Sequence, residues 1–244
     1  MPINPSPETW EHANERQRDR ALRSFSELRS RSVPAYTGPL FVDADTDATL
    51  QSPDEVARRT LVLWAVALRA EGVPKAEAIG IVRTLDLWET VSPSEKAFLE
   101  CDTPSPEESQ RLVWRLESIW LLMWALGYVE QLDWPSSVCD VPRLASLVGA
   151  LETDPAFIKA AKLRPLSEIL DAQDLIMRIH WAIRNAYVIE DGMIPVGLDW
   201  SQNDDWIPFT LSAEVRIVEQ RHHTLNWLVN YPNPQNWDNV DTPS

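Results

Sequence analysis

Two apolar runs constrain the fold of this chain more than any other feature of its sequence. The segments LVLWAVAL (61–68) and IWLLMWAL (119–126) have apolar side chains at every position. A helix formed there has no polar face to turn towards water. Both runs are much shorter than the roughly 20 apolar residues that a helix needs to cross a bilayer. We therefore predict two central helices that other helices bury.

Helix starts are marked by one repeated pattern, a serine followed by proline and, three positions after the serine, by glutamate. It occurs as SPDE (52–55), SPSE (92–95) and SPEE (105–108). The serine can accept a hydrogen bond from the third backbone N–H, proline presets the first helical φ, and the glutamate can bond back to the cap. The pattern predicts helices over about 53–71, 93–100 and 106–129, and the first and third contain the apolar runs.

The rest of the chain is predicted to be helical, with two irregular segments at 33–51 and 191–210. Further helices are expected over about 74–88, after Asp140, after Asp154, and over about 167–187 and 213–231. Only 7 glycines against 44% hydrophobic residues disfavour a turn-rich β protein. We predict an all-α fold, a single multi-helix domain over 1–244. Residues 1–15 are expected to be a partly helical extension, and 191–210 a loop or insertion.

The charge of the chain restricts its partners. A formal net charge of −15 repels nucleic acid and anionic lipid, because contacts to phosphate need clusters of lysine and arginine. We therefore expect neither nucleic acid nor a membrane as a partner, and a protein partner should be basic. Cys101 and Cys139 lack metal-type spacing and no signal-peptide pattern opens the sequence, which predicts a cytoplasmic protein with reduced thiols.

Motifs of phosphate binding and catalysis are missing from the sequence. It has no glycine-rich phosphate loop, no G-x-S-x-G and no H-E-x-x-H, so no cofactor is predicted. Asp43, Asp45 and Asp47 alternate as the first ligands of a calcium loop do. The central glycine and the distal glutamate of such a loop are absent, so we interpret them as a solvated loop.

Tryptophan is abundant, with 12 residues in the chain. The two predicted central helices carry Trp64, Trp114, Trp120 and Trp124. These side chains are predicted to fill the core, where each indole N–H needs a hydrogen-bond partner. The alternative is that some of them line a ligand pocket.

Two of the four histidines are predicted to point inward from two long helices. His180 shares an apolar stripe with Ile176 and Ile183, and His222 lies on a similar stripe. His223 is rotated roughly 100° away, towards the helix edge, so the neighbouring pair cannot bind one ion together. In the simpler interpretation, His180 and His222 are buried neutral imidazoles that bond to each other, to an amide side chain or to a backbone carbonyl.

The alternative interpretation is a functional site between the same two helices. Glu219 precedes His222 by three residues, and with His180 these side chains could hold a mononuclear zinc ion. One histidine could instead act as a general base that a carboxylate orients. The charged neighbours of the two histidines complete the candidate cluster: Asp174, Arg178 and Arg221.

Several segments resemble a bacterial family known as the domain of unknown function 4272 (DUF4272), over about residues 16–244. The resemblance is carried by SPDEVARRTLVLWAVALRAEG, SPSEKAFL, WRLESIWLLMWALGYVEQLDWP, CDVPRLASLV, AKLRPLSEILDAQDLIMRIHWAIRNA, VEQRHHTLNWL and WDNVDTPS. It implies that His180 and His222 belong to the family's most recognisable motifs, whereas His223 replaces what is often an aromatic residue. Trp200 and Trp206 stand in LDWSQNDDWIPFT, which looks like an insertion.

Two function hypotheses remain open at this level. The first is an interaction, adaptor or immunity-type protein whose acidic surface meets a basic partner, because complementary charge steers association. The second is a metal-binding protein or hydrolase with its site around His180 and His222, since perturbed ionisable groups gather in functional clefts. Whether the protein is an enzyme depends on which hypothesis holds.

Overall fold

The computed structural model describes residues 10–152, 154–189, 213–232 and 236–244. Its helices are α1 (Glu15–Ser30), α2 (Pro53–Ala70), α3 (Lys75–Thr84), α4 (Pro93–Glu100), α5 (Pro106–Val113), α6 (Arg115–Ala125), α7 (Val141–Leu151), α8 (Pro155–Lys159), α9 (Leu166–Ile189) and α10 (Ala213–Leu228). Those ranges contain no β-strand, so the predicted all-α fold is confirmed. The segment 191–210, with Trp200 and Trp206, lies outside the described residues, as does the chain before Trp10.

The core is built around α2 and α6, which contact each other. Helices α3, α5 and α8 pack on α2, while α10 packs on α6, α9 on α10, and α1 on α9. Leu63 in α2 and Leu121 in α6 have no exposed surface, which confirms the predicted central position of both apolar runs. None of the helices in the described ranges has the length and apolar content that crossing a membrane requires.

Local capping explains where the helices begin. Ser52 and Ser92 each accept a hydrogen bond from the backbone N–H three residues on, and Glu55 and Glu95 return a bond to the cap. Ser105 accepts only the forward bond, from the N–H of Glu108 at 3.1 Å. The predicted starts at 53, 93 and 106 are therefore confirmed.

Three predicted helices were too long, and the last of them, expected over 213–231, ends at Leu228. The helix expected over 106–129 is divided at Trp114 (φ −62°, ψ −11°), where the N–H of Glu117 bonds to the carbonyl of Trp114 in a tighter turn. The helix expected over 74–88 ends at Thr84, because Asp86 adopts a left-handed φ of 54°. That reversal places Leu87 in the core, with no exposed surface.

The predicted solvated loop is wrong at Asp45, whose side chain is only 12% exposed. Its carboxylate accepts hydrogen bonds from Arg20 at 3.1 Å and from Arg16 at 3.4 Å. Arg20 is buried where α1 packs on α9, and its Nε also donates to Asp171 on α9. A guanidinium buried in this way needs carboxylate partners, and the 33–51 segment supplies one.

Candidate functional site

The histidine motifs meet where α9 packs on α10. The Nδ1 atoms of His180 and His222 are 2.8 Å apart, and the ring planes are nearly perpendicular at 84°. The two residues are 5% and 1% exposed. The predicted contact between two inward-facing histidines is therefore confirmed. Since only one Nδ1 can donate in a neutral pair, the other ring must carry its proton on Nε2.

Burial keeps both rings of this pair neutral. It lowers the pKa of His180 to about 4, and the cation of Arg184 contributes to the same shift. Burial also lowers the pKa of His222 well below its ordinary value, with smaller effects from the neighbouring histidines and Arg184. At neutral pH the pair is therefore two imidazoles joined by one hydrogen bond.

Asp174 and Arg178 form a separate buried ion pair on α9. Arg178 donates from Nε to Asp174 Oδ2 at 2.8 Å and from Nη2 to Oδ1 at 3.1 Å. The same Nη2 donates to the carbonyl of Leu40 at 2.6 Å. These contacts hold the irregular 33–51 segment against α9, and none of them joins the histidine pair.

Arg221 faces α6 rather than the histidine pair. Its Nε and Nη2 donate to Glu117 Oε2 at 3.2 and 3.1 Å, and Nη1 donates to the carbonyl of Asp133 at 2.6 Å. The other Glu117 oxygen accepts from the N–H of Cys139 at 2.6 Å. Sequence reasoning missed Glu117, although a carboxylate beside an otherwise apolar run was a usable signal for a buried ion pair.

Glu219 pairs with Arg216 at 3.0 Å and is partly exposed. No group of three or more His, Cys, Asp or Glu side chains in the described part of the chain could hold a metal ion. The predicted set of His180, His222 and Glu219 is thus not assembled there. Two zinc–nitrogen bonds of about 2.0 Å also need a wider gap than the 2.8 Å between the Nδ1 atoms.

His223 binds the C-terminal segment, residues 236–244. Its Nε2–H donates to the carbonyl of Trp237 at 3.0 Å, and the ring centroids are 4.6 Å apart. Because a carbonyl can only accept, Nδ1 is the unprotonated nitrogen of this ring. Burial lowers the pKa of His223 to about 3.

A cavity of about 580 Å³ borders the histidine pair, and we name it the His180 cavity. Its lining residues come from α9, α10 and the C-terminal segment: His180, Arg184, Val188, Glu219, Gln220, His223, Val240 and Thr242. His222 is not among them. Sequence reasoning missed Arg184, although it follows His180 by four residues and so shares its helix face.

A second cavity, of about 460 Å³, lies between α1, α9 and the loop 126–140, and we name it the α1–α9 cleft. Its apolar lining includes Leu121, Trp124, Leu132, Trp134, Leu175, Ile176, Ile179 and Leu225. Its charged lining consists of Glu27, Arg31, Glu130, Asp133, Arg164, Glu168, Asp171 and Arg221. Trp124 is 7% exposed, so it both fills the core, as predicted, and borders a pocket.

A family model described as a domain of unknown function, DUF4272, matches residues 20–240, nearly the whole chain. The chain belongs to the DUF4272 family. No curated protein and no solved structure matches it. The range matched by DUF4272 contains the whole lining of the α1–α9 cleft and all of the His180 cavity except Thr242.

Proposed function

We propose that this DUF4272 protein is an interaction module. Its α1–α9 cleft receives a segment of a partner protein that has both apolar and cationic side chains. The observation that carries the proposal is an apolar cleft with acidic residues along its edge. Apolar side chains of a partner would gain free energy by leaving water in this cleft. The nearby carboxylates would favour a partner that also carries lysine or arginine.

The arginines of the cleft are paired with carboxylates, whereas two of its acidic residues are not paired within the part of the chain that the structure describes. Its arginines are each held by a carboxylate: Arg31 by Glu27, Arg164 by Glu168, and Arg221 by Glu117. Glu130 and Asp133 are exposed, and neither carboxylate has a hydrogen bond or ion pair with another residue in the described ranges. These two carboxylates are therefore available to a partner's cations, and the net charge of −15 would steer such a partner towards the protein.

A peptide titration tests the proposal. The probe is a helical peptide of alternating leucine and lysine pairs, and its matched control has every lysine replaced by glutamate. With 15N-labelled indoles, we expect only the cationic peptide to shift the resonances of Trp124 and Trp134, which are assigned with Trp124→Phe and Trp134→Phe. Binding of both peptides alike, or shifts only at tryptophans outside the cleft, would contradict the proposal.

A pair of charge reversals tests the acidic edge. Glu130→Lys with Asp133→Lys should weaken binding of the cationic peptide by about tenfold, or about 1.4 kcal/mol, because two attractive contacts become repulsive. Glu11→Lys with Glu71→Lys is the matched control, since it makes the same change in net charge at exposed positions outside the cleft. Equal weakening in both double variants would assign the effect to net charge alone.

A further inference from the structure

We propose a second binding site, in the His180 cavity, for a small monocarboxylate with a short apolar body, held by Arg184 and by the ring of His180. The site does not depend on the proposed function, because the His180 cavity and the α1–α9 cleft share no lining residue. At about 580 Å³ the cavity has the size of small-molecule sites in proteins.

Arg184 is an arginine without a carboxylate in the described part of the chain. It donates only to the carbonyl of Thr242 at 3.5 Å and to the hydroxyl of Ser244 at 3.3 Å, both long contacts to neutral acceptors. Glu219 lines the same cavity, but its carboxylate is bound to Arg216 at 3.0 Å. A guanidinium offers a planar pair of donors that matches a carboxylate, so Arg184 defines the class of ligand.

The orientation of His180 supplies a second contact. Its Nδ1 faces His222, and the cavity is lined by His180 but not by His222. Since His222 occupies Nδ1, Nε2 is the ring nitrogen of His180 that is left for a ligand in the cavity. When His222 donates the shared hydrogen bond, His180 carries its proton on Nε2 and presents a donor to an anion.

The histidine pair thus has two proton arrangements that a ligand can tell apart. A carboxylate can accept from Nε2–H of His180 in one arrangement, whereas it would meet a lone pair in the other. Binding should select the first arrangement, since a ligand shifts an equilibrium towards the state it prefers. Val188 and Val240 line the cavity as well, and they favour a ligand whose carboxylate is attached to a small apolar group.

Isovalerate is the test ligand, and isovaleramide is its uncharged control of nearly the same shape. Titration is followed by the ring 15N resonances of His180 and His222, which distinguish the two proton arrangements. We expect millimolar isovalerate to shift these resonances towards Nε2–H on His180 and Nδ1–H on His222. An equal response to isovaleramide, or no response of the histidine rings to isovalerate, would overturn the proposal.

Arg184→Gln, compared with a charge-matched control, tests whether Arg184 itself binds the carboxylate or whether net charge alone affects binding. Arg184 is exposed, so the variant should fold, as an unchanged set of tryptophan indole resonances would show. We expect at least tenfold weaker isovalerate binding in this variant, with near-normal binding in Arg111→Gln, which removes the same charge at an exposed position on α5. Unchanged binding in Arg184→Gln, or equal losses in both variants, would overturn the assignment. A failure of the peptide titration would leave both results as they stand.

Discussion

At the scale of single residues, buried polar side chains form two kinds of pair, one between neutral rings and one between opposite charges. His180 bonds to His222 and Arg178 to Asp174, and each partner lowers the cost of burying the other. The neutral pair and the ion pair respond differently to pH, because burial disfavours the charged form of an imidazole that has only another imidazole as its partner.

The histidine pair should make stability depend on pH. His180 has a pKa of about 4 in the folded protein and about 6.5 when unfolded. Between those pH values the unfolded chain binds more protons than the folded protein. The contribution of His180 to stability is therefore complete above pH 6.5 and is lost as pH falls towards 4. His180→Asn should reduce the slope of the unfolding free energy in this window by up to about 1.4 kcal/mol per pH unit.

Urea denaturation at several pH values between 4 and 7 measures this slope. His12→Asn serves as the control, since His12 is exposed. Asparagine at 180 leaves an amide that can still bond to His222, which limits the loss of folding. An identical slope in wild type and His180→Asn would show that the pair does not titrate on unfolding as expected.

At the scale of elements, long-range polar contacts help to hold the irregular segments against the helices. Arg178 anchors the 33–51 segment to α9, and Arg221 anchors the loop 126–140 to α6 and α10. Helix α1 packs on α9, α9 on α10, α10 on α6 and α6 on α2. Guanidinium groups bind the irregular segments through carbonyl oxygens and, at Asp45, through a carboxylate.

Arg178→Met should destabilise the protein by about 3–5 kcal/mol, because it leaves the Asp174 carboxylate buried without its partner. The chain contains a matched control: Arg58 and Asp54 on α2 have the same spacing of four, but at 3.8 Å and with side chains 36% and 55% exposed. Arg58→Met should cost less than about 0.5 kcal/mol. Similar losses in the two variants, measured by chemical denaturation, would contradict a special role for the buried pair.

At the scale of the whole molecule, the C-terminal segment joins helices that are distant in the chain. Trp237 is 2% exposed, and the guanidinium carbons of Arg59 on α2 and Arg115 on α6 lie 5.1 and 5.3 Å from its ring centroid. The Asp238 carboxylate accepts from the Ser92 hydroxyl and from the N–H of Ser94, at the start of α4. The segment therefore stabilises the central helices and α4 together.

Trp237→Ala should lower the unfolding free energy by about 3–5 kcal/mol, through lost burial and the cavity it creates. Because the ring contacts several helices, the loss should appear as one cooperative transition at lower denaturant rather than as local fraying. Trp88→Ala, at a half-buried tryptophan beside α3, is the comparison and should cost clearly less. The prediction would be contradicted if only the C-terminal segment became disordered while the midpoint of the main unfolding transition stayed unchanged.

The sequence by itself determined the features that depend on near neighbours in the chain. Capping at Ser52 and Ser92 fixed helix starts, all-round apolarity fixed the central helices, and helical spacing aimed His180 and His222 inward. Such features depend on bonds across three or four residues and on burial of a face, so local sequence contains them. The tertiary structure alone decided the partners of Asp45, Arg178 and Arg221, the division of the helix at Trp114, and both cavities. These depend on residues far apart in the chain, where the choice of partner follows from how the helices pack.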